Sequence, residues 1–120
     1  MEVLLGLDGS EFAERALERA VDRALETGDS LTVVVYAGPV DTDLAALEAR
    51  ARDRLATAGL EPDVRRLESN PGAGLVELAE AGYDRIVLGG GTVSPMGKIR
   101  LDDVVEFVVA NATTTVTLVR

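Results

Sequence analysis

The side chains able to do chemistry are few. With no histidine and no cysteine in 120 residues, disulfides, thiolate nucleophiles, zinc–thiolate centres and the usual neutral-pH general base are missing. Hydrolases of the Ser-His-Asp or Cys-His kind are thereby excluded in their common forms. Carboxylates, hydroxyls, Tyr36, Tyr83 and the single lysine Lys98 remain. They gather at Asp8-Gly9-Ser10, at Gly89-Gly90-Gly91-Thr92 with Ser94, Gly97 and Lys98, and at Asp102-Asp103.

Each group has a functional and a structural reading. Asp8 could bond a ribose or another hydroxylated ligand, or Asp and Ser here could simply cap a helix. The glycine run invites a phosphate loop, because glycines let a backbone approach phosphate and the next helix's free N–H groups favour an anion. It could equally be a flexible exit from a sheet. A Walker A loop needs glycine, four residues, then Gly-Lys-Ser/Thr; Thr92 stands at the first glycine and Ile99 at the magnesium-binding hydroxyl. No G-x-G-x-x-G follows the first apolar run, so a Rossmann dinucleotide site is not supported. As general acid and base, or as magnesium ligands, Asp102 and Asp103 would need further carboxylates or a substrate phosphate. Otherwise they cap the helix they enter and complement its dipole. We therefore assign no catalytic and no metal-binding residue.

The elements that must position these groups follow from hydrophobic periodicity. Glu2–Leu7 is an apolar run of strand length. Glu11 to Thr27 places Ala13, Leu17, Ala20, Val21, Ala24 and Leu25 at helical spacing, with Gly28 as the stop. Ser30–Tyr36 is a β-branched strand, and Asp41 or Thr42 is placed to cap a helix that runs to about Ala58. Pro62–Leu67 is polar enough for an edge strand. Asn70-Pro71 starts a third helix, with Asn as cap. Arg85 to Leu88 is a central strand, Asp103 and Glu106 have capping-box spacing for a helix over 104–110, and 112–119 closes the chain as a strand. The alternation β-α-β-α-β-α-β-α-β predicts one α/β domain over residues 1–120, a doubly wound five-stranded parallel sheet with helices on both faces. Ligands in such sheets bind at the strands' carboxyl edge.

Composition narrows the partners. The net charge of −9, from 21 acidic against 12 basic residues, opposes nucleic-acid binding through phosphate neutralisation. Arginine supplies every basic residue but Lys98, and this acidic, lysine-poor balance looks like a protein from a salt-loving organism. Nothing approaches the roughly eighteen apolar residues of a membrane span, and the first residues begin a strand, not a signal peptide. A cytoplasmic protein with no membrane partner is the expectation.

Taken together, the motifs resemble the universal stress protein family, the UspA-like domains of the adenine nucleotide alpha hydrolase type. Gly6-Leu-Asp-Gly-Ser10 with Ala16-Leu17, the run Asn70 to Gly89, Val104 to Val108 and Val116 to Arg120 carry the likeness in order. The resemblance implies that Asp8 matches a ribose-side aspartate, Val35 a strand end near adenine, and Leu88-Gly89 the turn beneath ribose and phosphates, with Gly90, Gly91 and Thr92 continuing the loop. Nucleotide-binding members carry Gly, two residues, Gly, nine residues, then Gly-Ser or Gly-Thr. Here the second glycine falls on Thr92 and the final pair on Asp102-Asp103, so the motif is degenerate. Carboxylates there repel a triphosphate by about 1 kcal/mol per close pair in water. The chain is also shorter than typical members around Gly38 to Asp43, which shrinks one pocket wall.

The expectation is a regulatory or interaction module without cofactor that does not bind ATP in the family's usual way, acting on a protein partner the sequence does not name. The resemblance implies a homodimer through the last strand, using Val116, Leu118 and Val119. The alternative is an ATP- or AMP-binding protein with slow ATPase activity, in which magnesium or potassium offsets the aspartates and Lys98 or Arg100 meets the phosphates.

Overall fold

Strand β1, Glu2–Leu7, is the axis of the fold. After its exposed first residue, all five others are buried, because both of its faces and both of its edges are covered. Successive strand residues point to opposite faces, so a continuous apolar run is what a strand with two covered faces requires. The computed structural model describes residues 1–38, 41–90, 92–93 and 95–120. They form α1 (Glu11–Thr27), β2 (Ser30–Tyr36), α2 (Leu44–Thr57), β3 (Val64–Leu67), α3 (Pro71–Glu80), β4 (Arg85–Gly89), β5 (Thr92–Val93), β6 (Ile99–Arg100), α4 (Asp103–Asn111) and β7 (Thr115–Val119).

The main sheet has five strands in the order β3-β2-β1-β4-β7, and every pairing is parallel. Helices cover both faces. Leu5, Leu7, Val33, Val35 and Val87 pack with Leu17 and Val21 of α1 and with Leu47 and Leu55 of α2. Leu4, Val34, Ile86 and Leu88 pack on the other side with Leu75 and Ala79 of α3 and Val105 and Val108 of α4. The polar Val64–Leu67 segment is an edge strand, as its composition indicates.

Several local expectations are corrected. The α2 cap is Asp43, whose Oδ1 accepts from the N–H groups of Ala45 at 3.0 Å and Ala46 at 3.3 Å; neither Asp41 nor Thr42 caps it, because the helix starts at Leu44. Asn70 forms no side-chain cap bond, since it sits in the left-handed region at φ 46 and not in the extended conformation a capping residue adopts. Asp102, not Asp103, caps α4. Leu25 is 57% exposed, because it lies beyond the edge of the α1 stripe. The glycine loop is not all loop: β5 and β6 pair antiparallel within it.

Helices α1 and α2 are also tied by charge. Arg54 donates from Nε and Nη2 to the Glu18 carboxylate at 2.8 and 2.7 Å, and Arg50 meets Glu14 at 3.4 Å. The Arg54 hydrogen bond holds the Glu18 carboxyl below the usual range. A depressed folded-state pKa gives stability that is present above the unfolded value of 4.5 and is lost as pH falls through the folded one. Glu18→Gln should therefore cost about 0.5–1 kcal/mol at neutral pH and nothing in strong acid. Urea denaturation at both pH values checks this; an equal cost at both would mean that the charge pair contributes nothing.

Candidate functional site

The carboxyl ends of β1, β2 and β4 meet the N-termini of α1 and α4. At β1, Asp8 follows the last strand residue and is 3% exposed. Its Oδ1 accepts from Ser10 N–H at 2.9 Å, which fixes the turn that lets Ser10 cap α1 by accepting from Ala13 N–H at 3.3 Å. Asp8 is thus not the helix cap; it orients the cap. Gly9 makes the turn at φ +85 with Thr42 against it. Across the edge, Gly38 lies so close that an added Cβ would stand 2.5 Å from Asp8 Oδ2.

At the α4 entrance, Asp102 Oδ1 accepts from Val105 N–H at 2.9 Å. Burial pushes the Asp102 carboxyl above its usual range; the Val105 N–H pulls it back, the Asp8 charge pushes it up, the Val104 N–H pulls it down and Asp103 pushes it up. Tyr36, 3% exposed at the end of β2, belongs to the same cluster. Burial and then the charges of Asp8 and Asp102 push its phenol up, so it stays protonated. A depression of about 410 Å³ lined by Ala37, Gly38, Asp102, Asp103 and Val104 opens at the edge of this group, with Asp8 and Tyr36 buried behind it.

The structure therefore brings together Asp8, Asp102 and Asp103 from the expected residues, and adds Tyr36 and Gly38. Val35 and Leu88 lie at the ends of β2 and β4 at the same edge, with side chains fully buried, Val35 under α1 and α2 and Leu88 beside Tyr36 under α3 and α4. Gly89 is glycine for packing, since a Cβ would stand 2.2 Å from Ala13 N; the backbone of α1 occupies that space. Gly90 has room for a side chain, and its N–H is already given to Val119 O at 2.8 Å. Gly91 lies outside the described residues. Thr92 pairs with Arg100 in the hairpin. The signal that could have found Tyr36 is a hydroxyl ending a strand that is otherwise apolar from Leu31 on, apart from Thr32.

Chemically, this is a cluster of acceptors with one protonated phenol. Its accessible carboxylates, Asp102 and Asp103, oppose a phosphate at the α4 N-terminus. Among the described residues no three His, Cys, Asp or Glu side chains converge as a metal site.

The class defined by this topology is the doubly wound α/β domain with its ligand edge at the strands' carboxyl ends. Within it, the solved structures that resemble this chain include universal stress proteins. One from Archaeoglobus fulgidus matches at 22% identity and a TM-score of 0.77, over 100% of this chain and 98% of its own. Another, solved in complex with cAMP, matches at 28% identity and 0.74, over 100% and 96%. UspA from Lactobacillus plantarum matches at 20% and 0.76, over 100% and 97%. No family model and no curated protein matches the sequence.

The raised Asp102 pKa has a readable consequence. A carboxyl whose folded pKa exceeds the unfolded value of 3.8 costs nothing below that value, and the cost develops as pH rises through the folded pKa. Asparagine caps about as well as aspartate. Asp102→Asn should accordingly be more stable than the parent at neutral pH, with the gap closing in acid. Urea midpoints across pH test this, and a less stable variant at neutral pH would mean that the carboxylates are not in opposition.

Proposed function

We propose that the chain is a universal-stress-type regulatory or interaction module of the cytoplasm, not an enzyme, which does not hold ATP in the manner of the family's glycine motif. The observation that carries this reading is Asp102. Where the motif's final glycine would fall, a carboxylate occupies the α4 N-cap, bonded to Val105 N–H and within electrostatic reach of Asp8 and Asp103. The anion-binding end of that helix is thereby filled by the protein's own negative charge. The capture of the Gly90 N–H by Val119 supports the same reading.

A second reading, a nucleotide-binding protein with slow ATPase activity, is favoured by the neighbour solved with cAMP. In it, magnesium or potassium offsets the aspartates, and Asp8 takes the ribose hydroxyls. Calorimetry with ATP and with cAMP separates the two. Magnesium and molar potassium chloride belong in the buffer because the acidic, lysine-poor surface suits high salt. Under the first reading the parent gives no heat with ATP, and the double substitution Asp102→Gly, Asp103→Ser creates or strengthens binding. A saturable signal from the parent, little changed by the double substitution, would replace the first reading with the second.

The module works as a homodimer through the free edge of β7 in this proposal. An uncovered edge strand is an association site, and among the described residues β7 pairs only with β4. Of the three residues expected to serve the contact, Val119 is 5% exposed in the core and Val116 packs against the core under α3 and α4. Leu118, 38% exposed, is left to reach a partner. Leu118→Lys should convert dimer to monomer in sedimentation; an unchanged dimer would refute this interface.

A further inference from the structure

A second cavity lies away from the carboxylate cluster, between α1 and the β4–β7 side of the sheet. Its volume is about 160 Å³, comparable with the roughly 150 Å³ apolar cavity known to take a benzene ring. Val3, Ala20, Ala24, Leu31, Val87 and Val119 give it apolar walls. Its polar lining is mainly cationic, with Arg19, Arg23 and Arg85 against the single carboxylate Asp29. Asp29 is already engaged, because Arg23 Nε donates to its Oδ2 at 3.0 Å.

Arg19 and Arg85 are different. Among the described residues neither side chain makes a hydrogen bond or ion pair, and Arg85 Nε is shielded from solvent with no partner. Arginine cannot relieve such burial by losing its proton, and an unmet buried donor is costly. In a chain carrying 21 acidic residues, two guanidinium groups left unpaired at one apolar cavity constitute a local reversal of charge. The planar fork of arginine matches a carboxylate, and the apolar walls match a body of about one ring.

We propose that this cavity binds a compact organic carboxylate with an apolar body, its charge on Arg85 with Arg19 assisting and its body against Ala20, Ala24 and Val87. The inference is independent of the nucleotide question, because none of these residues lines the depression at Asp102.

The test is a titration of the ¹⁵N-labelled full chain with phenylacetate, followed by amide shifts. Saturable shifts at Arg19, Ala24, Arg85 and Val87 are expected, with 2-phenylethanol, which has a hydroxyl in place of the carboxylate, binding about tenfold more weakly. Arg85→Met keeps the apolar stem and should lower phenylacetate affinity by about tenfold or more while leaving the fold intact by circular dichroism. Arg19→Gln, at an exposed position, should lower it by a smaller factor, and it carries the test if the first variant does not fold. Absent or unsaturable shifts overturn the proposal, as water alone would then fill the cavity. Equal affinity for the acid and the alcohol, or in the parent and both variants, also overturns it. The titration is run at constant protein concentration, because Leu118, proposed above to meet a second copy, also lines the cavity.

Discussion

The structure depends on the burial of β1 between β2 and β4 with a helix layer on each face. Once a parallel sheet must be covered on both sides, each strand has to return through a helix, and every strand then ends at the same edge. That is how Asp8, Tyr36 and Gly38, from two separate strand ends, come to lie beside the α4 entrance. The tightest expression of the constraint is Gly89, where the backbone of α1 comes so close to β4 that no Cβ fits. The first of the three glycines that follow Leu88 lets a helix dock.

Electrostatics then divides the domain. The carboxyl edge concentrates negative charge, with Asp8 buried and Asp102 pushed toward its protonated form by burial and by its neighbours. The side of the sheet under α1 gathers arginines around an apolar hollow. Elsewhere, Arg54 ties α2 to Glu18 of α1 and Arg66 ties β3 to Glu48 of α2. Against the chain's overall −9, the unpaired positive groups stand out more than the negative ones.

Much of the architecture could be read from periodicity. The buried runs of β1 and β2 and the stripe of α1 are long and regular, so burial and period agree, and the edge character of β3 followed from its paired arginines. Caps were less legible. Asp41, Thr42 and Asp43 can each accept a bond from a helix N–H, as can Asp102 and Asp103, and choosing among them depends on the residue at which the backbone turns helical. Asn70 deceived for a related reason: its composition suits a cap, but its backbone is left-handed. Val35 and Leu88, likened to a strand end and a turn of the pocket through a family resemblance, keep those strand-end positions, and their side chains pack into opposite layers of helices.

The α/β class, the parallel sheet, and the lack of histidine, cysteine and cationic excess that removes whole classes of chemistry are all legible without coordinates, because they depend on composition and on periods of a few residues. Tertiary packing alone makes Asp8, Tyr36 and Asp102 one electrostatic cluster, gives the Gly90 N–H to Val119, and places Arg19 and Arg85 at one hollow with no side-chain partner among the described residues. These facts join residues separated by dozens of positions, and their energies depend on burial and distance, which exist only after the helices have closed over the sheet.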